Sequence, residues 1–133
     1  MFIPKKKVKI ESIEDIQNLV LSGYDKWSDH GYVYTREYGD LIQFCYTGEA
    51  QVKGDWSFFE TVSRGLLINK NTGEVVSRPF DKFFNWMERG RVAKGHIVSI
   101  TEKVDGSLGH LFRDDDGYRI ATKGAVLSDQ GIW

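Results

Sequence analysis

The 133-residue chain predicts an α+β fold, mainly antiparallel sheets with few helices. Three observations carry this expectation. Apolar residues recur at helical spacing near the N-terminus, short β-branched and aromatic segments follow, and Gly/Asp-rich pairs separate those segments at hairpin distance.

Residues 10–23 read as a helix. Ser12 is the N-cap candidate, Asp15 stands where a capping box places its acid, and Ile13, Ile16, Leu19 and Val20 share a face. Gly23 suits the left-handed position that ends such a helix. Residues 32–38 and 41–46 flank Gly39-Asp40, a hairpin signal, and residues 66–69 and 74–77 flank a second turn at 70–73. Residues 81–89 suggest a short helix. Residues 96–104 and 107–112 flank Asp105-Gly106, which predicts a third hairpin, and 118–122 form a strand after the turn at 114–117. Residues 128–130 resemble the start of another helix, so the chain is expected to be a truncated portion of a longer domain.

Composition narrows the function classes. Hydrophobic residues are 41% and aromatics 14%, so the chain can build a packed core rather than remain disordered. The net charge is −1, and any polyanion must therefore be met by a local cationic site rather than by a global field. Cys45 is the single cysteine, which excludes an intrachain disulfide and four-cysteine zinc spacing. The first seven residues carry charge without a following apolar core, so no secretory signal is expected. No segment approaches the roughly 20 apolar residues of a membrane span. A cytoplasmic, reducing location is the expectation.

Four segments could carry chemistry. Glu102-Lys103-Val104-Asp105-Gly106-Ser107, taken alone, reads first as a plain hairpin, since Lys-x-Asp-Gly arises by chance in about one chain in thirty of this length. Residues 77–85, Ser-Arg-Pro-Phe-Asp-Lys-Phe-Phe-Asn, interleave cations with rings that would stack on a base while the cations hold phosphate. Thr122-Lys123-Gly124 and Ser63-Arg64-Gly65 are ambiguous alone: an exposed lysine at a strand end, and a strand entrance.

Their order is more specific. Arg-Gly before a strand, then Arg-Pro-x-x-Lys-Phe-Phe-Asn, then Glu-Lys-x-Asp-Gly-Ser, then Lys-Gly, resembles the phage-type, tRNA-repairing ATP-dependent RNA ligases of the covalent nucleotidyltransferase superfamily. The likeness runs from about Arg64 to Gln130, with residues 1–60 only loosely similar. Lys-x-Asp-Gly is shared with DNA ligases and capping enzymes, whereas the Ser-Arg-Pro…Lys-Phe-Phe-Asn element points to RNA ligase.

The resemblance implies the N-terminal portion, residues 1–133, of an RNA ligase adenylyltransferase domain. Lys103 would attack the α-phosphate of ATP with Mg²⁺ present, and the resulting lysyl-AMP would activate an RNA 5′-phosphate for sealing by a 3′-hydroxyl. Asp105 joins Lys103 as catalytic. Glu102, Gly106, Arg64, Lys82, Phe84 and Lys123 match nucleotide- or phosphate-handling positions, and Phe83 is given to the core. Arg78 and Asn85 would support the motif. RNA is the implied partner, with nicked tRNA a candidate substrate. Metal ligands and a late lysine pair would lie downstream, so the fragment alone is expected to be crippled.

The chemistry makes one demand. A lysine at the reference pKa near ~10.4 is neutral in only roughly one molecule in a few thousand at pH 7. Partial burial and the positive charge of Arg64, Lys82 and Lys123 are therefore expected around Lys103. His30, His96 and His110 lack metal-ligand spacing, and Asp114–Gly117 lacks the rest of a calcium loop. The basic leader 5–9 reads as solvated, and Trp56, Phe58 and Phe59 as core. The competing readings are a non-catalytic nucleotide- or RNA-binding module on the same scaffold, and a DNA ligase or capping-enzyme relative.

Overall fold

The computed structural model describes residues 9–88, 92, 94–115 and 117–126. It is α+β: a four-stranded antiparallel meander in the order β1-β2-β3-β4, a separate β5-β6 hairpin, and short helices.

Helix α1 (Ile13–Leu21) begins where the sequence predicts, with both halves of the capping box made: Ser12 accepts from the Asp15 amide, and the Asp15 carboxylate accepts from the Ser12 amide. Gly23 lies at φ 77° beyond its end. A short 3₁₀ helix (Trp27–His30) leads into β1 (Val33–Tyr38), which pairs with β2 (Leu41–Tyr46) across Gly39-Asp40. Helices α2 (Gly48–Lys53) and α3 (Phe58–Val62) follow, the latter with its own capping box from Ser57 and Glu60. Strand β3 (Arg64–Asn69) pairs with β2, and β4 (Val75–Ser77) closes the meander. Strands β5 (His110–Asp114) and β6 (Gly117–Ala121) form the hairpin.

Strand β2 is buried along its whole length because both faces of the sheet are covered. Alternation sorts its side chains. Ile42 and Phe44 join Leu66 and Ile68 of β3 in one core with Ile16, Val20, Trp27 and Phe59. Leu41 and Leu67, on the opposite face, pack against Phe112, Ala121 and Val126. The first core is cemented by rings: Trp27 meets Phe44 edge-on at 4.8 Å between centroids.

Three expectations fail. Residues 96–104 and 107–112 do not pair; Phe112 sits in β5 instead, with β6 as its partner, and Asp105-Gly106 lies in an irregular, exposed stretch. Ile97, Val98, Ile100 and Val104 are exposed, Val98 by 96%. A strand-like pattern without a layer to bury it gains too little to hold a ladder. Nor do residues 81–87 form a helix: the Lys82 amide donates to Thr61 O, tying the start of this segment to α3, and only a single turn closes at 85–88, where the Glu88 amide donates to Asn85 O. Phe83 is not core but 51% exposed. The suggested helix start at 128–130 and most of the basic leader lie outside the described residues.

Candidate active site

The cationic residues singled out by sequence assemble at two points that share Arg64. At the first, β6 runs into Thr122-Lys123-Gly124, and the Lys123 ammonium donates to the Tyr46 hydroxyl at 3.2 Å while lying 4.5 Å from the ring centroid. Tyr46 meets Trp56 edge-on at 5.0 Å, and Trp56 meets Phe84 in the same manner at 5.6 Å. Lys82 Nζ caps this row, 5.6 Å from the Trp56 centroid and 5.4 Å from that of Phe84. Among the described residues neither Lys82 nor Lys123 makes an ion pair with a carboxylate, and a cation held over an aromatic face keeps its charge available to a phosphate.

Tyr46 registers this field. Burial alone would raise its pKa, but the hydrogen bond from Lys123 and the charges of Lys123, Lys82 and Arg64 together carry it below the ordinary tyrosine value. Sequence reading missed Tyr46, which looks like one more aromatic at the end of a buried strand. It also assigned Trp56 to the core. Only Phe59 of that group is fully core; Trp56 is half-buried and Phe58 exposed.

At the second point Phe83 lies against two cations. The Arg64 guanidinium lies 5.2 Å from its centroid and Lys103 Nζ lies 5.9 Å from it. The two adjacent phenylalanines thus take different cations: Phe84 packs beneath Lys82, and Phe83, expected in the core, lies against Arg64 and Lys103 instead. Lys103 is exposed, so the anticipated partial burial is missing, because residues 96–109 lie on no sheet.

Two hollows meet here. One, of about 650 Å³, is lined by Glu102, Lys103, Asp105 and Gly106 together with Arg64 and Phe83. The other, of about 510 Å³, is lined by Lys123, Gly124 and His110. Arg64, Phe80 and residues 106–108 contribute to both. Lys82 and Phe84 line neither. Arg78 is held by Asp81 through paired contacts at 3.0 and 3.2 Å, and the Asn85 amide donates to Glu88. Among the described residues no group of three or more His, Cys, Asp or Glu could hold a metal ion, and no helix is long and apolar enough to cross a membrane.

The family profile described as RNA ligase matches residues 62–131. A Thermovibrio ammonificans protein described as an RNA ligase is 43% identical over 75 residues, which cover 53% of this chain and 20% of that relative. An Autographa californica nuclear polyhedrosis virus protein described as a bifunctional polynucleotide kinase/RNA ligase is 31% identical over 77 residues, covering 50% of this chain and 11% of the relative. The matched regions are thus a minor part of either relative. No solved structure matches the chain.

Proposed function

Because the chain belongs to the RNA ligase family, we propose that it is the nucleotide-charging portion of an ATP-dependent RNA ligase, with Lys103 as the residue that takes AMP. The observation that carries this reading is the position of Arg64. It lines both hollows and shares the Phe83 ring with Lys103, so a single guanidinium faces both the amine and the space a triphosphate would fill.

ATP is the substrate of the first step. The neutral Lys103 amine attacks the α-phosphorus; a P–N bond forms, the bond to the bridging oxygen breaks, and pyrophosphate leaves with that electron pair while the amine loses a proton to solvent. Arg64 and Lys123, which line the hollows, oppose the charge that gathers on the phosphates, and they do most where charge develops rather than in the ground state. Glu102 and Gly106 lie in the wall of the same hollow, where the nucleoside would rest, and Asp105 would orient the amine.

An RNA 5′-phosphate oxygen then attacks the adenylate phosphorus and frees the lysine. A 3′-hydroxyl attacks the activated 5′-phosphate, expelling AMP and closing the strand. RNA ends are therefore the substrate class, nicked tRNA among them. Mg²⁺ would supply charge neutralisation, but the described residues do not form a fitting site for it, and no step is assigned to the ion.

The test is intact-mass measurement of the natural gene product after incubation with ATP and Mg²⁺. The expected result is a gain of one AMP less water, lost in Lys103→Ala and in Lys103→Arg, since arginine cannot supply a neutral nitrogen. An adduct that persists in Lys103→Ala refutes the assigned nucleophile. ATP or RNA binding without any adduct would favour a non-catalytic module, and labelling by GTP in place of ATP a capping enzyme.

A further inference from the structure

Lys123 follows a strand end, where a backbone is ordinarily free to wander, yet its segment is held at three successive carbonyls. Gln43 Nε2 donates to Thr122 O at 3.0 Å, the Cys45 thiol donates to Lys123 O at 2.9 Å, and Arg36 Nη1 donates to Gly124 O at 3.1 Å. The three donors share one face of the first hairpin. Gln43 and Cys45 alternate along β2, and Arg36 is the cross-strand partner of Gln43. From the neighbouring strand, Gly65 leaves the room this approach needs: a Cβ there would stand 3.2 Å from Lys123 Cα.

We propose that Arg36, Gln43 and Cys45 form a positioning device for Lys123, holding its backbone so that the ammonium reaches Tyr46 and the phosphate-binding hollow. This rests on the reading of Lys123 as a phosphate-handling residue. It assigns a role to the part of the chain, residues 1–60, whose sequence resembles the family only loosely.

Packing alone does not account for the donors. Gln43 is fully buried, and its Oε1 has no partner among the described residues. An interior site that needed only volume would be filled more cheaply by an apolar side chain, because an orphaned amide oxygen is a cost. What the amide supplies is an N–H aimed at Thr122 O. The thiol acts in the same sense: burial raises the Cys45 pKa, so it keeps the proton it donates. Each carbonyl held in turn removes a rotation from the backbone around Lys123, and a side chain on a fixed Cα reaches a fixed point. Geometry of this kind is what an electrostatic clamp requires, since its benefit depends on charges already in place when the phosphate arrives.

The experiment uses two removals, Gln43→Met and Cys45→Ala, and one conservative control, Cys45→Ser, which keeps a donor. The first readout is ionisation of Tyr46, taken as the tyrosinate absorbance difference between each protein and its Tyr46→Phe partner. Release of Lys123 is expected to move Tyr46 upward, toward its ordinary value, in both removals and not in Cys45→Ser. The second readout is the rate of AMP labelling at low ATP. It is expected to fall by roughly threefold to tenfold per removal, the rate equivalent of one lost hydrogen bond, with the saturated rate less affected.

In a Lys123→Met background, Gln43→Met is expected to add no further loss, because both changes act through one ammonium. An unmoved Tyr46, or full additivity with Lys123→Met, overturns the proposal. If Gln43→Met does not fold, the Cys45→Ala and Cys45→Ser pair decides by the same Tyr46 shift. A Tyr46 shift in a protein that never takes AMP leaves the positioning device standing and removes the ligase reading, so the two failures are distinguishable.

Discussion

Gly65 and Lys123 meet backbone to backbone: a Cβ added at Gly65 would lie 3.2 Å from Lys123 Cα, and Gly65 itself sits at φ 95°. The first relation demands a missing side chain, and the second demands a residue tolerant of left-handed backbone. Both requirements fall on the residue that follows Arg64, so the two cation-bearing segments approach only because glycine separates the strand from its neighbour. Gly65→Ala is expected to destabilise the fold by about 1–3 kcal/mol. It should also lower AMP labelling. Urea denaturation checks the first part, and unchanged stability would sink the argument.

Phe83 makes a complementary case, since half of it is exposed and little core depends on it. Phe83→Leu is expected to change stability by less than about 1 kcal/mol while slowing AMP transfer by roughly tenfold, through loss of the ring shared by Arg64 and Lys103. Thermal unfolding and single-turnover labelling separate the two effects. A variant with parental rate would mean the ring is incidental.

His110 gives the pH prediction. Its Nδ1 lies 2.6 Å from Ser77 Oγ, and burial, only partly opposed by the Thr122 backbone, holds its pKa below the ordinary 6.5. A depressed histidine pKa means the unfolded chain binds the proton more readily than the folded one. Stability from this group is therefore fully present above about pH 6.5 and is lost as pH falls through the lower folded value. His110→Gln should flatten that part of the stability curve. Denaturation midpoints between pH 7 and pH 5, taken for both proteins, test it; parallel curves would exclude the ring as the source.

The aromatic core should respond without any pH signature. Phe44 is fully buried between Trp27 and Phe59. Phe44→Ala is expected to cost about 3–5 kcal/mol, by lost transfer energy and the cavity left behind. Chemical denaturation measures this directly, and a loss below about 1 kcal/mol would show that the core collapses around the gap.

Local signals were legible in the sequence by itself. The Ser12–Asp15 capping box, the Gly39-Asp40 turn and the turn before β4 are decided by residues a few positions apart, and they appear where expected. The order of the Arg-Gly, Lys-Phe-Phe-Asn, Lys-x-Asp-Gly and Lys-Gly elements likewise carried the family, because that pattern needs no fold to be read.

Tertiary structure decided the rest. Residues 96–104 have a strand's β-branched content, but a strand persists only where another layer buries it, and Ile97, Val98, Ile100 and Val104 are exposed. Which of Phe83 and Phe84 faces Lys82 depends on where Trp56 lies, not on their own order. The contacts that hold this segment span 79 residues from Gln43 to Thr122 and 78 from Cys45 to Lys123. Neither side chain looks functional within its own strand. Contacts that distant are set by how the sheet and the second hairpin stack, and no local propensity records that choice.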